Sequence, residues 1–127
     1  MFVNFSGHPS AGWSDKQKSE AQKYGEIVDV AFPDVMPETD EEQIDALADK
    51  YVAQIIEMKP DAVMCQGEYS LTFNVALKLM RSNITFLCAC TERCAIYTHH
   101  EEDAKIESLY SFVKFRKYSA KGVSISE

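Results

Sequence analysis

The sequence predicts an α/β fold built on a mainly parallel sheet. Three observations carry this: short apolar strands alternate with helical stripes, capping signals stand where helices begin, and Pro or Gly closes most elements. At 127 residues and 46% hydrophobic content, the chain supports one real core and not two, so residues 1–127 read as a single domain.

Each element has its own signal. Phe2 to Phe5 reads as the first strand and runs into Asn4-Phe5-Ser6-Gly7-His8-Pro9. Ser14-Asp15-Lys16-Gln17 is a Ser-x-x-Gln capping box, opening a helix that ends near Tyr24-Gly25. Glu26 to Phe32 is a second strand stopped by Pro33. Thr39-Asp40-Glu41-Glu42 is a second capping box, and from it Ile44, Leu47, Ala48, Tyr51, Val52, Ile55 and Ile56 form one stripe at spacings of three and four. Pro60 closes that helix.

Asp61 to Gln66 is the third strand, ending at Gly67-Glu68, and a helix from about Ser70 to Arg81 follows. Ile84 to Cys90 is nearly continuous in apolar residues, as expected of a parallel strand covered on both faces. It is expected to end in a Thr91-Glu92-Arg93 turn. Right-handed crossovers then make a small Rossmann-like sheet. Ala95 to Thr98 and Leu109 to Tyr118, separated by the polar run His99 to Glu107, predict a C-terminal antiparallel β-hairpin on one edge. Residues 119–127 read as a frayed tail.

Composition excludes several classes. The net charge of −7 argues against a duplex DNA binder, whose footprint is a basic patch. The acid is local: Glu26 to Asp49 holds nine acidic residues and no basic one, and removing those nine leaves +2 for the rest. The N-terminus does not read as a signal peptide and no run is long enough to span a bilayer, so a cytoplasmic protein without a membrane partner is expected. Cys65, Cys88, Cys90 and Cys94 lie in apolar segments and read as reduced, buried thiols. A zinc set of Cys88, Cys90 and Cys94 with His99 or His100 lacks the usual spacing. No Walker loop, Gly-x-Gly-x-x-Gly or tight carboxylate cluster is present, so neither a metal nor another cofactor is expected.

Ligands of open α/β sheets sit beyond the carboxyl ends of the strands. The turns after the first, third and fourth strands should therefore share one edge, bringing together Ser6-Gly7-His8-Pro9, Gly67-Glu68-Tyr69-Ser70 and Thr91-Glu92-Arg93. Helix N-termini after the first two offer amides to an anion, and Arg93 offers a bidentate fork. Each residue also has a plainer reading. His8 satisfies a turn, Glu68 complements a helix N-terminus, Arg93 pairs with Glu92, Trp13 staples its helix rather than stacking on a base, and Gln17 serves the capping box.

Together the Asn-Phe-Ser strand with its His-Pro loop, the Trp-Ser-x-x-Gln helix start, the Gly-Glu turn and Thr-Glu-Arg resemble small stand-alone proteins of type III CRISPR systems. Those carry a CRISPR-associated Rossmann-fold (CARF-like) domain. The resemblance spans roughly Met1 to Tyr118. It implies a homodimer that binds a cyclic oligoadenylate messenger, and a ring nuclease that cleaves it to end antiviral signalling. By position, Asn4, Ser6, Gly7, His8 and Pro9 match the first ligand loop, with Trp13 beside it. Gly67, Glu68 and Ser70 match the second, and Thr91, Glu92 and Arg93 close the pocket.

Under that resemblance the expected chemistry is metal-free attack of a ribose 2′-hydroxyl on its own 3′-phosphate. His8 would move the proton, Arg93 would stabilise the phosphorane, and Glu68 would orient the hydroxyl or bind an adenine amine. Competing expectations are a non-catalytic sponge or sensor for the same messenger, a nucleoside or nucleotide N-glycosidase with Glu68 as nucleophile, and a domain whose acidic surface meets a basic protein.

Overall fold

The computed structural model describes residues 1–100 and 103–124. Its elements run β1 (Phe2–Ser6), α1 (Asp15–Gln22), β2 (Ile27–Ala31), α2 (Glu41–Glu57), β3 (Ala62–Gln66), α3 (Tyr69–Arg81), β4 (Thr85–His100) and β5 (Asp103–Lys117), with a 3-10 turn at Ser10–Gly12. The five strands form one sheet in the order β2-β1-β3-β4-β5. The first four are parallel and β5 is antiparallel to β4, which makes the fold α/β and Rossmann-like.

β1 is the central girder. All five of its residues are buried, and it pairs along its whole length with β2 and β3. Alternation then sends its apolar side chains to opposite faces. Val3 and Phe5 join Val63 and Phe86 beneath α2 and α3, whose buried stripes include Ile44, Ala48, Ile55, Leu71 and Val75. On the other face, Phe2 lies among Tyr24, Phe115 and Trp13, at ring separations of 5.9, 5.1 and 6.1 Å. Burying a phenylalanine is worth roughly 2–3 kcal/mol, so Phe2 and Phe5 are the principal anchors of the two layers.

The caps are close to the predicted ones, with two differences. α2 begins one residue later than its first capping signal: Asp40 and Gln43 form the reciprocal box, and Thr39 lies outside it. At α1 only half the box forms. Ser14 Oγ accepts the Gln17 N–H at 3.2 Å, while the Gln17 side chain goes elsewhere. After α1, Gly25 adopts φ +113° with Met1 so close that a Cβ there would lie 2.8 Å from the Met1 nitrogen. Only glycine meets both conditions.

The largest difference from the sequence reading lies in the C-terminal third. Thr91-Glu92-Arg93 is no turn: β4 continues through it to His100, and Asp103 to Glu107, predicted as loop, are strand. The physical reason is local. Neither segment contains a glycine, proline or asparagine to break a strand, and a ribbon open to solvent accepts polar residues on its faces. β3 accompanies β4 only from Thr85 to Leu87, and beyond that point β4 pairs with β5. Between Cys90 and Thr91 the register skips Val113, a β-bulge. It brings Phe112 onto the same face as Phe115 despite their odd spacing, with the rings 4.8 Å apart. Beyond β5 the chain holds no helix or strand through residue 124, Ser119, Ala120 and Val123 line a groove along α3, and residues 125–127 of the expected frayed tail lie outside the described residues.

Among the described residues no helix is long and apolar enough to cross a membrane.

Candidate functional site

The chain leaves β1 through α1 to reach β2, then crosses back over β1 through α2 to reach β3. The switch point of the sheet is thus between β1 and β3, whose carboxyl ends are Ser6 and Gln66. Parallel strands diverge in their connections there, and a crevice opens.

A polar clamp shapes the β1 end of that crevice. Asn4 is 1% exposed, and its Nδ2 donates to the His8 carbonyl at 2.9 Å and to Asp29 Oδ1 at 3.0 Å. Its Oδ1 accepts from Ser6 Oγ at 2.7 Å, and Ser6 Oγ in turn accepts the His8 N–H at 3.2 Å. Asp29 on β2 also accepts the Ser10 N–H at 3.1 Å. Burial would raise the Asp29 carboxyl, but the bonds from Asn4 and Ser10 outweigh it and hold the group below its ordinary value. Asn4 and Ser6 therefore hold the loop from beneath, and neither is among the residues lining the two cavities that border His8.

Above the clamp lie two cavities, one on each side of the sheet edge. The α1-side cavity, of about 510 Å³, is bounded by Trp13, Gln17, Thr91, Tyr110 and Phe112. The α3-side cavity, of about 470 Å³, is bounded by Gly7, Phe32, Asp34, Gly67, Glu68 and Tyr69. His8 and Gln66 line both. Both volumes fall within the roughly 300–1,000 Å³ of small-ligand sites.

Several predicted residues meet here and others do not. His8, Gly7, Trp13, Gly67, Glu68 and Thr91 line one cavity or both. Pro9 instead caps the 3-10 turn. Ser70 points its hydroxyl at Glu68, 2.7 Å from Oε1. Arg93 pairs across the ribbon with Tyr110, on the face that carries Thr91 and Phe112, and so extends the α1-side wall rather than closing it as a turn. Glu92 alternates to the opposite face.

Glu68 itself is the N-cap of α3. Its carboxylate accepts the Leu71 and Ser70 N–H groups at 2.8 and 3.0 Å, and the Leu71 bond, then those of Ser70, hold it below its ordinary value. The helix N-terminus expected to receive an external anion already holds this one. Gly67 beside it is fixed by packing: a Cβ would meet the Phe32 ring at 2.5 Å.

Five site residues were not read from the sequence as ligand contacts. Gln66 and Phe32 sat at strand ends without any distinguishing pattern. Tyr69 is 91% exposed at the start of α3, an apolar exposure that only the structure reveals. Tyr110 was placed on the alternating arm of the hairpin, but its position in the α1-side wall follows from the bulge. Gln17 was assigned to its cap, and the structure turns it into the cavity.

Cys65 is buried, and burial pushes its thiol up to about 12. Cys88 and Cys90, expected in the core, are half-buried and share one face of β4 opposite Arg116 and Lys114. Among the described residues no three His, Cys, Asp or Glu side chains converge on a metal position; the side chains of Cys94, His99 and His100 lie outside the described residues.

A Rossmann-like domain with a two-sided crevice at its switch point is the class these features define. The chain belongs to the uncharacterized protein MJ1673 family, whose model matches residues 1–116. No curated protein and no solved structure matches it.

Proposed function

We propose that the protein binds a cyclic oligoadenylate messenger and opens its ring by metal-independent transesterification, acting as a cytoplasmic homodimer in type III CRISPR signalling. The observation that carries this reading is the position of His8. It is the one lining side chain suited to proton transfer near neutral pH, and it borders both cavities at the switch point.

In this reaction a ribose 2′-oxygen attacks the adjacent phosphorus as its proton passes to His8. The bond to the 5′-oxygen breaks, and that oxygen takes a proton as it leaves. The products are a 2′,3′-cyclic phosphate and a 5′-hydroxyl, so the ring becomes linear without water being consumed. Arg93 on the ribbon face beyond Thr91 supplies positive charge to the phosphorane. Both oxygens of Glu68 serve the α3 cap, which weighs against its orienting the hydroxyl or binding an adenine amine. The same engagement removes the support for an N-glycosidase that uses it as nucleophile.

One observation favours sequestration without turnover. No described residue hydrogen-bonds the His8 imidazole, and a general base is ordinarily oriented by a partner. Incubation with cyclic tri-, tetra- and hexa-adenylate in EDTA, followed by chromatography, separates the two readings. Ring opening is expected, with His8→Ala slowing it about 10²–10⁴-fold and leaving binding within a few-fold. Binding without linear product assigns the protein to sequestration. Absence of binding to every ring overturns both.

A further inference from the structure

Two features of the crevice are unused by the reading above: its two-sidedness, and the unlike charge of its halves. The α3-side cavity is lined by the carboxylates of Asp34 and Glu68. A phosphate there would face like charge. The α1-side cavity has no carboxylate in its lining, and Arg93 stands on the ribbon face that forms its wall.

Each side also presents a largely exposed aromatic ring, Tyr69 at 91% and Tyr110 at 68%. Exposed rings of this size at a cavity mouth are what planar bases stack on. The halves meet at His8 and Gln66, so a ligand that fills both must cross the sheet edge past His8.

We propose that the crevice seats one dinucleotide step of the messenger, with one base on Tyr110 in the α1-side cavity, the other on Tyr69 in the α3-side cavity, and the scissile phosphate at His8. This rests on the messenger reading and names its recognition unit. The charge pattern sorts the parts. A base whose exocyclic amine donates to a carboxylate suits the side of Asp34, where the two negative charges repel a phosphate. The phosphate is left to the His8 strip and the carboxylate-free side. Gln17 and Gln66, whose side-chain amides make no hydrogen bond among the described residues, are placed to read the edge of the Tyr110 base, since a glutamine amide matches the donor and acceptor pair of adenine. The specificity unit is then two adjacent nucleotides, whatever the size of the ring.

The linear dinucleotide adenylyl-3′,5′-adenosine is the direct probe, with AMP as its half. Trp13, the single tryptophan of the chain, lines the α1-side cavity and reports binding by its fluorescence. The dinucleotide is expected to bind at least tenfold more tightly than AMP. Tyr69→Ala and Tyr110→Ala should each weaken it about tenfold, and Tyr69→Phe and Tyr110→Phe should restore it, because stacking needs the ring and not the hydroxyl. Circular dichroism on each variant separates lost stacking from lost fold. If cyclic oligoadenylate binds and either alanine variant stays within twofold of the parent, the two-base seat is overturned and the messenger reading survives. If the dinucleotide binds with this pattern and no ring does, the seat survives and the messenger reading is overturned.

Discussion

The clamp beneath His8 makes the sharpest quantitative prediction. Asn4→Ala removes three hydrogen bonds at once: to the His8 carbonyl, to Asp29 and from Ser6. Two are neutral, worth about 0.5–1.5 kcal/mol each, and the one to Asp29 is charge-assisted at about 1.5–3 kcal/mol. The side chain is buried, and of its partners only Ser6 Oγ has another acceptor within reach, the His8 carbonyl at 3.2 Å. A total loss of about 3–5 kcal/mol follows, against the roughly 5–15 kcal/mol that holds a domain of this size. The Asn4–Asp29 bond is isolated by a double-mutant cycle in urea, with Asn4→Ala, Asp29→Ala and the double variant. Because Asp29 keeps its bond to Ser10 when Asn4 is lost, the coupling should be close to the pair term alone, about 1.5–3 kcal/mol. Additivity within about 0.5 kcal/mol would refute the clamp, as would an Asn4→Ala variant that loses less than about 1 kcal/mol.

Two further changes test neighbouring parts of the site. Gly67→Ala pushes a methyl to within 2.5 Å of the Phe32 ring, which is itself packed 4.9 Å from Phe5, and an overpacked contact of this kind costs about 1–3 kcal/mol. Adding Phe32→Leu should recover part of that loss, whereas a strictly additive double variant would sink the steric account. The α3 cap predicts a pH dependence: Glu68 titrates below its ordinary value of 4.5 in the folded protein, so its contribution is fully present above that pH and is lost as the pH falls through the folded value. Glu68→Gln should cost about 1 kcal/mol at neutral pH and flatten the acid limb of the thermal-melting profile; an unchanged acid limb would contradict the capping role.

The sequence made the four parallel strands and three helices legible because their signals are local. The stripe from Ile44 to Ile55 and the apolar run from Ile84 each need only their own side chains to be understood. The ribbon was not legible for the same reason. Thr91-Glu92-Arg93 is polar enough for a turn, and what makes it strand is the partner register with Phe112, Ser111 and Tyr110, about twenty residues on. The site divides the same way. His8, Gly67 and Glu68 follow strand ends and could be placed by topology alone. Tyr110 could not, because its position depends on the skipped residue Val113, and a bulge leaves no mark in an alternating pattern.

Hydrogen-bond satisfaction is what separates framework from site along this edge. Asn4, Ser6 and Glu68 looked in sequence like the groups most suited to a ligand, yet each spends its polar atoms within the chain. A buried polar group left unpaired costs about 1–3 kcal/mol, so Asn4 and Ser6, both buried, must be paired before any ligand arrives. Lining residues nearer solvent escape that demand: among the described residues no side-chain hydrogen bond engages the His8 imidazole or the amides of Gln17 and Gln66. Water satisfies them, and a ligand can replace water at little cost. The opening loop thus contributes to the crevice in two layers. Asn4 and Ser6 hold the backbone from below, and that rigidity is what fixes His8, otherwise unrestrained, where both cavities meet.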